Sequence, residues 1–227
     1  MTHRAHRTWT VARAPAFDRA RHRAPMGVCA STHTVEYVLE CEARAERDRR
    51  MSALARALEA NDGRLFLSGT LARANAPNRN NRVYPRAILE REVASHAVAK
   101  VNKGLAYGTL EHPDASDAKG VDEFRAASDA TRASHRVVAC AWRGDVLEGV
   151  VEVLDTEDGA VVRGIYERGG AVGASTRAWS SLETRADGRT YAEDDMELIC
   201  FDLVRDPATY SLFSPSLLMP VESRFEG

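Results

Sequence analysis

Apolar and polar positions alternate along this chain with two periods. Stretches of period two, read as strands, cover residues 64–71 (RLFLSGTL), 104–110 (GLAYGTL), 134–142 (SHRVVACAW), 146–154 (VLEGVVEVL) and 196–205 (MELICFDLVR). A further strand runs through Gly173-Ala174-Ser175-Thr176-Arg177. Helical spacing appears over residues 35–60, where Val35, Leu39 and Ala43 share one face and Leu54 and Leu58 another. It recurs from Pro85, which can open a helix at its first turn, to about Lys100, with Ile88, Leu89, Val93 and Ala97 as the stripe. A short helix over 160–168 ends at Gly169-Gly170. Asn61-Asp62-Gly63, Arg143-Gly144-Asp145, Asp187-Gly188 and Asp206-Pro207 are the punctuation. The sum is six or seven short strands, two or three helices and mostly hairpin connections, with no repeated βαβ unit. This predicts an α+β fold with a largely antiparallel, barrel-like sheet flanked by a few helices.

The two ends lack this pattern. Residues 1–25 are rich in Arg, His and Ala, with Asp18 their one acid. They read as a disordered basic arm, a removable pro-segment, or an upstream extension with Met26 or Met51 as alternative starts. We expect a disordered or dispensable arm over 1–50, one domain over 51–210, and a loosely structured tail over 211–227. Composition changes little: 44% hydrophobic and 28% charged residues describe an ordinary globular chain, and a net charge of −2 gives no global reason for a nucleic-acid partner. The four cysteines, Cys29, Cys41, Cys140 and Cys200, form no C-x-x-C pair, which fits a reducing compartment. No apolar run approaches the roughly 18 residues of a membrane span. Residues 75–84 (NAPNRNNRVY) form a polar loop, whose Asn side chains brace irregular backbone.

Candidate chemistry centres on Ser175. A hydroxyl in a small-residue strand, next to backbone N–H groups and the cation Arg177, is what acyl transfer needs. It is equally a packing residue unless a base and an orienting group exist elsewhere. Of the seven histidines, His112 and His135 are the candidates. His112 ends a strand beside an irregular loop, where catalytic groups gather, and is otherwise a solvated turn residue. His135 lies within a strand and reads first as a buried, hydrogen-bonded histidine. Asp202 interrupts the apolar run Leu198-Ile199-Cys200-Phe201; it is either paired with a histidine or faces solvent on an alternating strand.

In this order, NRNNRVYPRAILEREV, GTLEHPD, ASHRVVACAW, VLEGVVEVLDTEDG, GASTRAWSS and FDLVRDPAT resemble the prohead core serine proteases of tailed phages, of the T-even type, over residues 64–210. The resemblance implies a fold like the herpesvirus assemblins, a barrel-like core with flanking helices. It implies His112 as general base, matching the histidine of a Gly-Glu-Leu-x-His-Pro motif. It implies Ser175 as nucleophile, matching the first serine of a Ser-Ser-Arg-Gly motif, with Arg177 near the oxyanion and Thr176 beside it. Asp202 is the candidate third member and His135 the runner-up. Thr176 stands where that motif has a second serine, Ala178 where it has glycine, and Thr109 where the first motif has an acid.

The activity so implied is a serine endopeptidase inside the phage prohead, in the host cytoplasm. It would cleave scaffold and major capsid proteins after Glu, and itself, with Glu226-Gly227 a loose match to such a site. It calls for no metal or organic cofactor, no membrane and no nucleic acid; a second copy of the chain is a further candidate partner. Three alternatives stand beside it: a non-catalytic core or scaffold protein on the same fold, an unrelated serine esterase, and a nucleic-acid binder using the basic arm and residues 75–82.

Overall fold

The computed structural model describes residues 32–114, 124, 126 and 130–217, with backbone alone for 32–41. The chain divides into two compact units, residues 1–42 and 43–227; the strands and the site described below belong to the second. The expected boundary at residue 50 instead meets a continuous helix, α1 (Thr32–Ala60). Leu54 and Ala57 of this helix are buried, while most of its charged side chains are exposed. Asp62 and Gly63, both at positive φ, end it, and the Gly63 N–H returns to the Leu58 carbonyl at 2.8 Å.

The remaining elements follow in order: β1 (Phe66–Arg73), β2 (Arg82–Val83), α2 (Arg86–Ala99), β3 (Tyr107–Gly108), β4 (His135–Arg143), β5 (Val146–Val153), α3 (Glu157–Glu167), β6 (Gly173–Trp179), β7 (Leu182–Thr184), β8 (Thr190–Ala192), β9 (Glu197–Val204) and β10 (Ser214–Pro215). The hairpin at 143–145 joins β4 and β5 as the pattern predicts, with Val137 across from Val151. The helix expected from Ala160 begins three residues earlier. Thr156 caps it by accepting the Gly159 N–H at 3.1 Å, and Glu157 and Asp158 occupy its positive first turn.

The strands divide into three sheets rather than one. The largest has the order β10-β1-β5-β4-β3 with antiparallel pairing; β6 and β9 form an antiparallel pair; β2-β8-β7 is a small third sheet containing one parallel pair. Single bonds bridge the first two. Leu203 N–H donates to the Thr109 carbonyl at 3.0 Å, Glu111 N–H to Leu203 at 2.8 Å, and Phe213 N–H to Val172 at 2.7 Å. The strand expected over 104–110 therefore shortens to two residues, because beyond Gly108 the chain turns its hydrogen bonds from β4 to β9.

The chain from 211 to 217 is packed, where a loose tail was expected. Phe213 is buried, β10 pairs with β1, and Tyr166 donates its hydroxyl to the Phe213 carbonyl at 2.9 Å. Glu226 and Gly227 lie outside the described residues, as do most of the surface excursion after Asp114 and the basic N-terminal arm. The core gathers Leu65, Leu67 and Leu71 of the first strand region with Leu89, Val137, Val151, Phe201 and Leu203. No described helix is long and apolar enough to cross a membrane.

Candidate active site

Strand pairing sets the site. On the β6–β9 ladder Ser175 stands directly across from Asp202, and Arg177 across from Cys200. Cross-strand partners and residues two apart share a face, so these four side chains share one. Gly173 opens this strand because nothing larger fits: a Cβ there would lie 2.1 Å from the Ser211 carbonyl oxygen. The small-residue run thus does what its composition suggests, letting the 207–211 backbone approach.

His112 reaches this face from the chain after β3. The docking bonds between Glu111 and Leu203 hold the segment on β9, and Glu111 then adopts φ +63. A left-handed turn at a non-glycine residue costs about 1 kcal/mol. The Glu111 carboxylate helps to hold it, accepting from the Arg205 backbone N–H at 3.2 Å and Nε at 2.9 Å. The turn brings His112 Nε2 to 3.0 Å from Ser175 Oγ and Nδ1 to 2.7 Å from Asp202 Oδ2. An ionised carboxylate can only accept, so Nδ1 carries the proton and the Nε2 lone pair faces the hydroxyl.

Asp202 is fully buried, and donors surround it. Oδ1 accepts from the Thr109 N–H at 2.9 Å, the Thr109 hydroxyl at 3.0 Å, Arg177 Nη2 at 3.2 Å and the Cys200 thiol at 3.2 Å. Arg177 Nε lies 2.9 Å from Oδ2. Burial pushes the carboxyl pKa up, but the His112 bond, the Arg177 charge and the Thr109 N–H outweigh it and hold Asp202 below the usual carboxylate value. Burial pushes the Cys200 thiol well up, so it stays protonated and donates.

His135 stands outside this relay. Gly108 admits its ring, since a Cβ there would lie 2.5 Å from His135 Cε1. Its Nδ1 meets the Ser134 hydroxyl at 2.9 Å and its Nε2 the Phe201 carbonyl at 3.0 Å. Burial lowers its pKa to about 4, leaving it a neutral, satisfied core histidine at ordinary pH. The two remaining sequence candidates part company: Thr176 lines the cleft in front of Ser175, whereas Arg177 is 1% exposed and turned inward onto Asp202.

The cleft holds about 240 Å³, with Ser175, Thr176, Ala178 and His112 on its floor. One wall is the Asn/Arg loop and the other is the 208–210 backbone. The loop is braced as its composition suggests, Asn78 Oδ1 accepting from the N–H groups of Asn80 and Arg82. Arg79 ties the walls together: its N–H donates to Ala208, its guanidinium pairs with Asp206 and covers the Tyr210 ring at 4.8 Å. Phe124 stands beside His112, ring centres 6.2 Å apart. Arg82 also lines the cleft, and its buried Nε has no hydrogen-bond partner among the described residues. Sequence reasoning missed Cys200, Thr109, Phe124 and Arg82 as site residues. Two of these left a signal: Arg82 as one of two arginines in the Asn-rich loop, and Thr109 as a departure from the histidine motif.

The family model described as prohead core protein serine protease matches residues 42–216. The chain is 27% identical over 150 residues to the prohead core protein protease of Enterobacteria phage T4, a match covering 62% of this chain and 66% of that relative. The chain thus spans just under two thirds of that relative's length. The solved structure of the bacteriophage T4 capsid assembly protease, gp21, superposes with a TM-score of 0.55 at 25% identity, covering 63% of this chain and 82% of that one.

Proposed function

Because this chain belongs to the prohead core protein serine protease family, we propose that it is a serine endopeptidase that matures a phage prohead from inside. Its substrates are scaffold and major capsid proteins, and its own chain. The observation that carries the reading is the unbroken relay Ser175–His112–Asp202, which opens on a cleft of about 240 Å³.

In the proposed reaction His112 Nε2 takes the Ser175 hydroxyl proton as Oγ attacks a peptide carbonyl. Asp202 keeps Nδ1 protonated and stabilises the imidazolium that forms. The oxyanion falls at the cleft floor beside Thr176, where backbone N–H groups are the donors. The imidazolium then protonates the leaving amine, and water, deprotonated by the same nitrogen, hydrolyses the acyl-enzyme. Arg82 lines the cleft and places a cation beside it, which supports an acidic residue before the scissile bond. The single-bond bridges between the β6–β9 pair and the five-stranded sheet support a barrel-like reading of the core.

The test is intact mass over time for wild type and Ser175→Ala, each co-expressed with the neighbouring capsid and scaffold genes. Trimming of self or partners by wild type alone is the expected result. Equal trimming in both moves the nucleophile away from Ser175, and no trimming in either favours a non-catalytic core protein.

A further inference from the structure

The relay explains Ser175, His112 and Asp202 and leaves Arg177 without a part. Two of its nitrogens clasp the Asp202 carboxylate, Nη2 on Oδ1 at 3.2 Å and Nε on Oδ2 at 2.9 Å. The same Nε lies 3.1 Å from Cys200 Sγ, and the thiol returns to Asp202 Oδ1 at 3.2 Å. Both partners of the ion pair are buried, at 1% and 0% exposure. Strand geometry explains the placement: Arg177 sits across from Cys200 and two residues from Ser175, on the face that carries Asp202. To reach a carbonyl oxygen held at Ser175, the guanidinium would have to abandon a carboxylate that has no access to water. An uncompensated buried charge is among the costliest arrangements a protein can hold.

Resting on the protease reading above, we propose that Arg177 is a positioning residue for Asp202, fixing its rotamer and its charge, and not a donor to the substrate oxyanion. Arg177 holds the carboxylate by one hydrogen bond, Nη2 to Oδ1, and by the charge of Nε beside Oδ2, while the Nε–H donates to the Cys200 sulfur. Held at both oxygens, the carboxylate keeps Oδ2 on His112 Nδ1, and the countercharge keeps it ionised where it is buried. Among the described residues the groups around the pair come from several elements, and Arg177 Nη1 also donates to the Phe124 carbonyl at 3.4 Å. His112 and Thr109 come from the chain after β3, Cys200 from β9 itself, and His135 from β4, neutral at ordinary pH. Near His112, Glu111 is occupied by Arg205, and Asp114 lies two residues further on. Among the described residues, Arg177 is the arginine that touches the carboxylate.

The two roles part in their response to pH. Without the Arg177 charge, burial raises the Asp202 pKa, and where the carboxyl takes up a proton His112 loses the acceptor that holds its tautomer. The readout is the second-order rate at which a fluorophosphonate labels Ser175, from about pH 5 to about pH 10. For Arg177→Met we expect a loss of about a thousandfold at neutral pH, partly recovered in base as Asp202 ionises, so that the acid limb moves up by about one pH unit or more. Arg177→Lys, which keeps the charge and loses the fork, leaves the limb in place with a smaller loss. A loss of equal size at every pH, with the acid limb where wild type has it, overturns the inference. A second measurement needs no variant. In a crystal structure of wild type carrying the phosphonyl adduct, the guanidinium stays on Asp202; a contact between Arg177 and the phosphonyl oxygen overturns the inference. Failure of wild type to label at any pH sinks the hydrolase reading itself, and this inference with it.

Discussion

Asp202→Asn is the substitution whose outcome the structure constrains most tightly. It changes one oxygen to NH2 and leaves the volume nearly untouched. On both sides the carboxylate faces groups that can only donate, His112 Nδ1–H at Oδ2 and the Thr109 N–H and Arg177 Nη2 at Oδ1, while the Thr109 hydroxyl is shared with the Glu111 carbonyl at 2.8 Å. An asparagine NH2 therefore meets a donor whichever way it turns. Facing His112, it forces the proton from Nδ1 to Nε2, and the ring then points N–H instead of a lone pair at Ser175. Facing Thr109, it leaves that N–H unpaired and presses two donors together. In both orientations Arg177 is left as a buried cation without its anion. Loss of the correct tautomer in a serine triad lowers turnover by about 10⁴, or about 5 kcal/mol of transition-state stabilisation. Breaking a buried ion pair from one side costs about 3–5 kcal/mol of folding stability. For a domain of this size that is a fall in Tm of roughly 6–20 °C. The assay is fluorophosphonate labelling at neutral pH, paired with urea denaturation of the same preparations. Labelling within about tenfold of wild type, together with an unchanged urea midpoint, would refute the reasoning on both counts.

Three further outcomes are expected. His96 is buried against Phe201, with both ring nitrogens lacking partners among the described residues, and burial and Lys100 lower its pKa to about 4. The unfolded chain therefore binds the extra proton between the two values: the stability is present above the unfolded pKa and is lost as pH falls toward about 4. By linkage wild type loses about 2 kcal/mol between about pH 7.5 and about pH 5 from this group. His96→Leu should shrink that loss and add about 1–2 kcal/mol at neutral pH, read by urea midpoints at both pH values. Arg82→Met should lower discrimination between Glu and Gln peptides by about 10- to 100-fold with folding unchanged, and equal discrimination in both proteins removes Arg82 from substrate reading. Cys200→Ala should cost less than about tenfold in labelling rate, because Thr109 and Arg177 still hold Asp202. A loss as large as that of Asp202→Asn would make the thiol itself essential.

Much of the site could be read locally. Ser175 shows in a strand of small residues and His112 at a strand end beside a loop. Asp202 shows as an acid in an apolar run, where pairing is the condition of its burial. What could not be read was which of Asp202 and His135 meets the His112 ring. Alternation separates a core face from a wet face only where one side meets water. On β9 every residue from Leu198 to Val204 is buried, so the pattern is silent about which face holds the site. The direction of Arg177 was hidden for the same reason. A cation in a motif suggests a substrate contact, and only the cross-strand partner shows that an internal carboxylate takes it first.

Local patterning was enough for the hairpin at 143–145, the stop at 61–63, the helix after Pro85, and the strands that carry Ser175 and Asp202. These depend on period, caps and turn residues, which act over a few neighbours. Tertiary structure decided what lies far apart in sequence. It set the register that faces Ser175 with Asp202, and the left-handed turn at Glu111 that delivers His112 from 63 residues before Ser175. It also decided the division of one expected sheet into three, and the packing of 211–217 beneath the core. Such pairings are chosen by which buried groups can satisfy one another, and that condition is met only when distant segments are brought together.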